Sequence, residues 1–220
     1  MRTISEITEI IRLKTRKIYI KKTAKTRSKK LKIQDFSIIS NNCWGGFIYQ
    51  SYNMRYKTPT IGMFIMPEDY LLLISDLHGY LVAELSFINP NDSKYSSKLS
   101  NISSFGNYPI GKLKDIELHF LHYTDEYEAR RKWRERCKRV NYDRVIYKFN
   151  DQNGCTKEQA YQFINSDITN KIFFSSKWIL PNEESIFIKG DKETGIVASK
   201  EPFGNSSKFN VTKYINNLKD

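Results

Sequence analysis

Apolar runs of strand length recur along the chain, separated by polar, turn-forming segments. Runs rich in Ile, Phe and Val occur at 36–40, 60–66, 116–123, 144–149 and 171–176. Apolar residues at helical spacing predict helices over 47–56, 67–81, 125–139, 157–165 and 211–219. The alternation of strands and helices predicts an α/β fold with three layers, in which a mostly parallel sheet is flanked by helices.

The segment from 116 to 149 gives the most detailed prediction. A strand over 116–123 is followed by a helix whose buried stripe would contain Ala129, Trp133, Cys137 and Val140. The run at 144–149 completes a strand–helix–strand unit, whose two strands are expected to be parallel. Nearer the C-terminus, 184–190 and 196–199 would either pair as a hairpin or lie at a sheet edge.

The N-terminal segment differs from the rest in charge. Residues 1–34 have a net charge of +10, whereas the whole chain has +12. Ile4, Ile7, Ile11 and Ile18 fall near one face of a helix, and 21–32 has little to bury and predicts a mobile linker. We therefore expect a basic helical extension over 1–34 and a single α/β domain over 35–220. The helix could lie on an anionic membrane surface, or pack on the body or on a second subunit.

Composition narrows the class of protein and its compartment. A nucleic-acid-binding domain usually has its basic residues on the folded body, so the nearly neutral body argues against nucleic acid. Three cysteines without CxxC spacing argue against a disulfide framework and a zinc site and favour a cytoplasmic protein. No apolar run approaches the ~20 residues that span a bilayer. We expect the protein in the cytoplasm, free or peripheral at the inner membrane face, without a cofactor or dedicated metal site.

The candidate site follows from the rule that ligands bind beyond the carboxyl ends of parallel strands. The loops after the predicted strands supply these substrate-binding candidates: Asn41, Asn42, Trp44, Gly45, Gly46, Asn153 and Lys177. Amides can hydrogen-bond sugar hydroxyls, and indole faces can stack on rings. The paired glycines could open a helix whose free N–H groups hold phosphate. The predicted ligand is therefore a sugar or phosphosugar.

Three residues are candidates for the chemistry itself. His122 or Asp151 would be the general base that removes a proton from an acceptor hydroxyl. Alternatively, Cys43 would be a nucleophile, with His122 as its base and Asp151 orienting the imidazole. Structural explanations compete with each of these roles: asparagines satisfy turn backbone, tryptophans pack in cores, and most lone cysteines are buried and inert.

The chain resembles the bacterial family known as domain of unknown function 1919. Two stretches carry the resemblance, NNCWGG at 41–46 and HYTDEYEARRKWRERCKRV at 122–140. The resemblance covers roughly 35–190 and leaves the basic N-terminal segment outside it. Members of that family are often described as exopolysaccharide biosynthesis proteins. The resemblance implies an α/β domain and a setting in surface-polysaccharide assembly, but it transfers no catalytic residue.

These observations support a leading functional hypothesis and two alternatives. The leading hypothesis is a transferase-like protein of capsule or exopolysaccharide biosynthesis, acting on an activated sugar or a phosphorylated glycan precursor. The first alternative is a glycan-binding or scaffolding protein of the same pathway, without enzymatic turnover. The second is a hydrolase or acyltransferase that depends on Cys43.

Overall fold

The computed structural model describes residues 4–204 and 206–219 and contains two β-sheets. The larger has four parallel strands in the order β1-β5-β6-β7, namely β1 (Ser37–Ser40), β5 (Val145–Asn150), β6 (Lys171–Ser175) and β7 (Ser185–Phe187). Ser40 pairs with Lys148, and Asn150 pairs with Phe174. The carboxyl ends of β1, β5 and β6 therefore lie at one edge of the sheet.

Helices cover both faces of the parallel sheet. The α-helices of the described residues are α1 (Ile4–Ser28), α2 (Trp44–Ser51), α3 (Pro67–Ser75), α4 (Leu77–Leu81), α5 (Ser96–Leu99), α6 (Glu126–Cys137), α7 (Lys157–Ile164) and α8 (Val211–Ile215). Ile38, Ile146 and Phe174 pack in one apolar cluster with residues of α1, α2 and α8. Ile39 and Phe149 point to the opposite face and pack with residues of α3, α6 and α7. The predicted α/β fold, a mostly parallel sheet flanked by helices, is confirmed.

A second sheet departs from the sequence prediction. It is antiparallel and contains β2 (Ser86–Ile88), β3 (Ile110–Leu113) and β4 (Ile116–His119). The prediction that the strand at 116–123 runs parallel to the strand at 144–149 was wrong, because β4 pairs with β3 through a two-residue turn at Lys114 and Asp115. The run at 60–66 is not a full strand, since it contributes a single bridge from Phe64 to His119.

Local capping explains where two central helices begin. The Asp125 carboxylate caps α6 by accepting a 2.7 Å hydrogen bond from the Glu128 amide. Thr156 and Gln159 form a reciprocal capping box at the start of α7. The late segment around β7 lies at a sheet edge, which is one of its two predicted arrangements.

The N-terminal helix is longer than the sequence predicts. Residues 21–28 continue α1, and Ile20, Ala24 and Leu31 are buried against the body. The Asn216 side chain bonds the backbone of the segment that follows, at 2.9 Å from the Lys30 carbonyl and 2.7 Å from the Lys32 amide. The linker expected over 21–32 is thus helical through Ser28, because a narrow apolar stripe crosses its basic sequence. The side chains of Ile4 and Ile7 lie outside the described part.

Candidate functional site

The buried polar network lies at the carboxyl edge of the parallel sheet and consists of Asn41, Asn42, Lys148, Asn150 and Glu201. The first two follow β1, the next two belong to β5, and Glu201 comes from the C-terminal region. All are buried. Asn41 donates to Asn150 Oδ1 at 2.8 Å, so the segment after β1 meets the end of β5. Of its five members, Asn42 also lines a cavity at this edge.

An ion pair forms the centre of the buried polar network. Lys148 Nζ lies 2.6 Å from Glu201 Oε1, and both side chains are fully buried. Asn150 Nδ2 donates to the same carboxylate oxygen at 2.6 Å. Burial lowers the pKa of Lys148 and raises that of Glu201, because desolvation disfavours both charged forms, and their mutual attraction opposes this. Each group therefore depends on its partner to remain charged.

The side chains of Asn42 and Ser40 accept hydrogen bonds from backbone amides at the start of α2. Asn42 Oδ1 accepts from the Trp44 amide at 3.1 Å and from Lys148 Nζ at 3.0 Å. The Ser40 hydroxyl accepts from the Gly45 amide at 3.3 Å. These are N–H groups that a phosphate at the helix N-terminus would use. The Trp44 and Gly45 amides are therefore already paired within the protein.

The Asp151 carboxylate joins two other segments of the chain by hydrogen bonds. Its Oδ2 atom accepts hydrogen bonds from the Ser175 hydroxyl at 2.8 Å, the Ser176 amide at 2.6 Å and the Lys177 amide at 2.8 Å. Its Oδ1 atom accepts from the Ile196 amide at 2.8 Å. The carboxylate is fully buried. We therefore assign Asp151 a positioning role and assign the general base to another residue.

Trp44, Gly45 and Lys177 also lie away from the described cavities of this edge. Trp44 is 1% exposed, packs edge-on against Phe174, and donates its indole N–H to the Pro202 carbonyl at 2.6 Å. A Cβ on Gly45 would approach Ile38 and Ser40 to 3.2 Å, so glycine lets α2 lie close to β1. The Lys177 ammonium lies 5.7 Å from the Trp178 ring centroid. Their roles here are in packing.

The polar pocket is a cavity of about 360 Å³ above the edge of the sheet. Four of the predicted site residues line it: Asn42, Cys43, His122 and Asn153. Asn153 has a φ of 58° and buries an amide nitrogen, Nδ2, that makes no hydrogen bond within the described part of the chain. Asparagine tolerates this backbone conformation better than most residues. The pocket therefore offers a buried donor that a ligand oxygen could satisfy.

The cationic pocket is a neighbouring cavity of about 380 Å³ that shares Cys43, Phe47 and His122 with the polar pocket. Lys132 and Arg136 of α6 line it, together with Gly46, Tyr56 and Tyr123. Arg136 donates to the Tyr123 hydroxyl at 2.6 Å and lies 5.4 Å from the Tyr56 ring centroid. Within the described part of the chain, Arg136 forms no ion pair with a carboxylate. Its positive charge is available to an anion.

Lys132 contributes less free charge to the cationic pocket than Arg136 does. Its ammonium is hydrogen-bonded to the Glu128 carboxylate one helical turn earlier, and that bond is the main reason why the pKa of Glu128 falls to about 2. The pair is partly exposed. Arg136 is therefore the principal cation of the pocket, with Lys132 as a partly neutralised neighbour.

Cys43 lies between the two pockets but is poorly suited to nucleophilic chemistry. Its thiol faces the Met63 carbonyl at 3.6 Å, and burial raises its pKa to about 11. A cysteine nucleophile needs the thiolate, which this environment disfavours. His122, by contrast, is exposed and lines both pockets. Of the three candidates for chemistry, His122 is the one that can reach a ligand as a base.

Sequence reasoning missed Arg136, Lys148 and Glu201. Arg136 lies three residues after buried Trp133, at the margin of the apolar stripe of α6, and that spacing could have singled it out. Lys148 interrupts an apolar strand, which signals a buried cation in need of an anion. Glu201 carries no comparable local signal, because its partners are distant in sequence.

The described residues show neither a metal-binding cluster nor a membrane-spanning helix. Among these residues, no three His, Cys, Asp or Glu side chains are grouped so that they could hold a metal ion. No helix within the described part combines the length and the apolar character needed to cross a bilayer.

The fold and site define an α/β protein with a cleft of two joined pockets at the carboxyl edge of its parallel sheet. The chain belongs to the family described as "Domain of unknown function (DUF1919)", whose model matches residues 14–219. It is 30% identical over 190 residues to an "Uncharacterized protein" of Haemophilus influenzae, covering 86% of this chain and 84% of the relative. The match includes most of the basic N-terminal segment, so the expectation that this segment lies outside the family resemblance was wrong.

Proposed function

We propose that this protein is a transferase of surface-polysaccharide assembly that acts on an activated sugar or a phosphorylated glycan precursor. The observation that carries the proposal is the position of Arg136 in the cationic pocket, beside His122 and next to the polar pocket. A guanidinium group that has no carboxylate partner among the described residues, at the ligand-binding edge of a parallel sheet, is suited to phosphate. The setting in polysaccharide assembly rests on the family resemblance.

The two pockets divide the ligand between them. Arg136 would bind the phosphate through paired N–H donors, a geometry that guanidinium provides and ammonium does not. The rings of Phe47 and Tyr56 would flank the phosphorylated end. In the polar pocket, the unpaired Asn153 amide would donate to a sugar hydroxyl, with Gln152 beside it. The ligand would therefore extend across the wall that contains His122.

His122 is the general base in this proposal. Its imidazole would take the proton from an acceptor hydroxyl as the hydroxyl oxygen forms a bond to the donor sugar. The bond between that sugar and its phosphate would break, and the departing phosphate would keep the electron pair. Arg136 would stabilise the negative charge on the departing group. A non-enzymatic glycan-binding protein would need the same pockets but not His122.

One face of α1 supports a location at an anionic membrane surface. Ile11 and Ile18, seven residues apart, are 59% and 57% exposed. The lysines around them are exposed as well, namely Lys14, Lys21, Lys22 and Lys25. Ile20 and Ala24 face the body on the opposite side. A helix that packs by one face and presents Ile and Lys on the other suits a lipid surface. We propose peripheral attachment through this face.

Substitution of Arg136 tests the proposed ligand. We expect a panel of sugar 1-phosphates and nucleotide sugars to include a ligand that raises the melting temperature of the wild-type protein. Arg136→Gln should weaken that ligand roughly 10- to 100-fold in calorimetric titration, because a charge-assisted hydrogen bond is lost. Arg134→Gln is the matched control, since Arg134 is exposed on the same helix and does not line either pocket.

His122→Gln separates transfer from binding. Turnover of the identified donor should be lost while its dissociation constant changes by less than roughly threefold, because a general base acts in the transition state. Binding without turnover in the wild-type protein would instead favour the scaffolding alternative. The proposal fails if no phosphorylated sugar in the panel binds, or if Arg134→Gln and Arg136→Gln weaken binding equally.

A further inference from the structure

Tyr123 joins Arg136 to a second segment that lines the cationic pocket. The Tyr123 hydroxyl accepts a hydrogen bond from Arg136 Nη1 at 2.6 Å and donates its own proton to the Ile61 carbonyl, also at 2.6 Å. Because a phenol has a single proton to give, its oxygen is left to accept from the guanidinium. Arg136 of α6 is therefore tied through Tyr123 to the segment of Ile61 and Gly62, which lines the same pocket.

The group that anchors Arg136 differs in charge from the group that anchors Lys132. Lys132 pairs with the Glu128 carboxylate, which neutralises part of its charge. Tyr123 is 6% exposed, and burial raises the pKa of its hydroxyl, an effect that the neighbouring Arg136 opposes. A phenol whose pKa lies above its ordinary value is neutral near pH 7. Tyr123 can therefore hold the guanidinium in place without neutralising its positive charge.

The segment of Ile61 and Gly62 also bonds the backbone of the proposed general base. The His122 amide donates to the Gly62 carbonyl at 2.9 Å. Gly62 has a φ of 71°, and a Cβ there would lie 3.1 Å from the Tyr123 ring and 3.4 Å from His122 Cβ. Glycine thus allows this segment to approach both residues. Arg136, through Tyr123, and His122 are therefore attached to the same two-residue segment.

We infer that Tyr123 is a positioning residue for anion binding, whose hydroxyl orients the Arg136 guanidinium toward a ligand phosphate beside His122. This inference rests on the proposed function and adds to it the residue that sets the direction of the phosphate-binding group. The bond to Tyr123 uses one of several N–H donors of the guanidinium, so the cation is held with little loss of its capacity to bind phosphate.

A double-mutant cycle with inorganic phosphate as the ligand tests the inference. Tyr123→Phe keeps the ring and removes the hydroxyl, and it should weaken phosphate binding about three- to tenfold in an NMR titration. In a protein that already carries Arg136→Gln, the same substitution should change the affinity by less than about 1.5-fold, because the group that Tyr123 positions is gone. Equal weakening in both backgrounds would indicate a general effect on the fold and overturn the inference.

Tyr127→Phe is the matched control for the cycle. Tyr127 lies on α6 and is 77% exposed, so loss of its hydroxyl should leave phosphate affinity unchanged. Circular dichroism would verify that each variant is folded. A loss of affinity in Tyr127→Phe equal to that in Tyr123→Phe would contradict a specific role for the Tyr123 hydroxyl.

The orientation of Arg136 can also be measured without any ligand or variant. A guanidinium held by hydrogen bonds rotates slowly about its Nε–Cζ bond and gives separate nitrogen NMR signals for its Nη groups, whereas free rotation averages them. We expect separate signals for Arg136 in the wild-type protein and averaged signals in Tyr123→Phe, with Arg136→Gln identifying the resonances. Averaged signals in the wild-type protein, or separate signals that persist in Tyr123→Phe, would overturn the inference.

The failure of this inference is distinguishable from the failure of the proposed function. If Arg136→Gln weakens phosphate binding and Tyr123→Phe does not, the anion site remains and the positioning role of Tyr123 is lost. If the wild-type protein binds neither inorganic phosphate nor any phosphorylated sugar, the proposed function is lost and the inference with it.

Discussion

Glu201→Ala is expected to lower the free energy of unfolding by about 3–5 kcal/mol, because it leaves the Lys148 ammonium buried without its counter-ion. The same substitution removes the carboxylate that accepts from Asn42 and Asn150. Equilibrium unfolding in urea measures the loss. Glu135→Ala is the control, since it breaks surface pairs with Arg131 and Arg139 and should cost about 1 kcal/mol or less.

A double variant separates the cost of an unpaired charge from the value of the pair itself. Replacing both partners, as Lys148→Met with Glu201→Leu, should recover most of the stability that Glu201→Ala loses, because apolar pairs often replace buried ion pairs at little cost. Stability of Glu201→Ala within about 1 kcal/mol of wild type would show that water reaches Lys148 and that the buried polar network is not dry.

Asp151→Ala should be destabilising to a similar degree, by about 3–5 kcal/mol, because four buried donors lose their acceptor. Asp151→Asn should cost less, about 1–3 kcal/mol, since an amide can accept some of these bonds but turns its own N–H groups toward the remaining donors. Urea unfolding measures both variants, and Asp167→Ala on an exposed loop serves as the control.

The result for Asp151 also decides between a positioning and a catalytic role. If Asp151→Ala unfolds at the same urea concentration as the wild-type protein but has no turnover, Asp151 would be the general base. If it is destabilised and its residual turnover keeps the wild-type pH profile, the carboxylate acts through the loops that it ties together. We expect the second outcome, because the carboxylate is buried and already accepts four bonds.

Much of the fold could be predicted because its signals are local. The apolar runs that became β1, β5 and β6 fixed the parallel sheet, and the rule about carboxyl ends brought Asn41 and Asn42 close to β5. The capping box at Thr156 is equally local. The pairing of β4 was missed because an apolar run does not specify its neighbour, and a two-residue turn after β3 decided it.

The position of the site could be predicted better than the role of each of its residues. Asn42, Cys43, His122 and Asn153 do line one pocket, yet the sequence could not show which polar groups are already paired. Asp151 and Asn42 are satisfied by partners far along the chain, such as Ile196 and Glu201. The proposed anion site depends on Arg136, whose place in a cavity becomes evident only when α6 packs beside the loop of Gly62 and His122.

The central claim is that the joined pockets bind a phosphorylated sugar with its phosphate at Arg136, and a crystal structure of the complex tests it most directly. The sugar phosphate that most raises the melting temperature should be used. The account predicts a phosphate oxygen about 3 Å from the Arg136 guanidinium, with the sugar between His122 and Asn153. Phosphate bound elsewhere, for example in the cavity near Lys171 and Tyr214, with the cationic pocket empty, would contradict it.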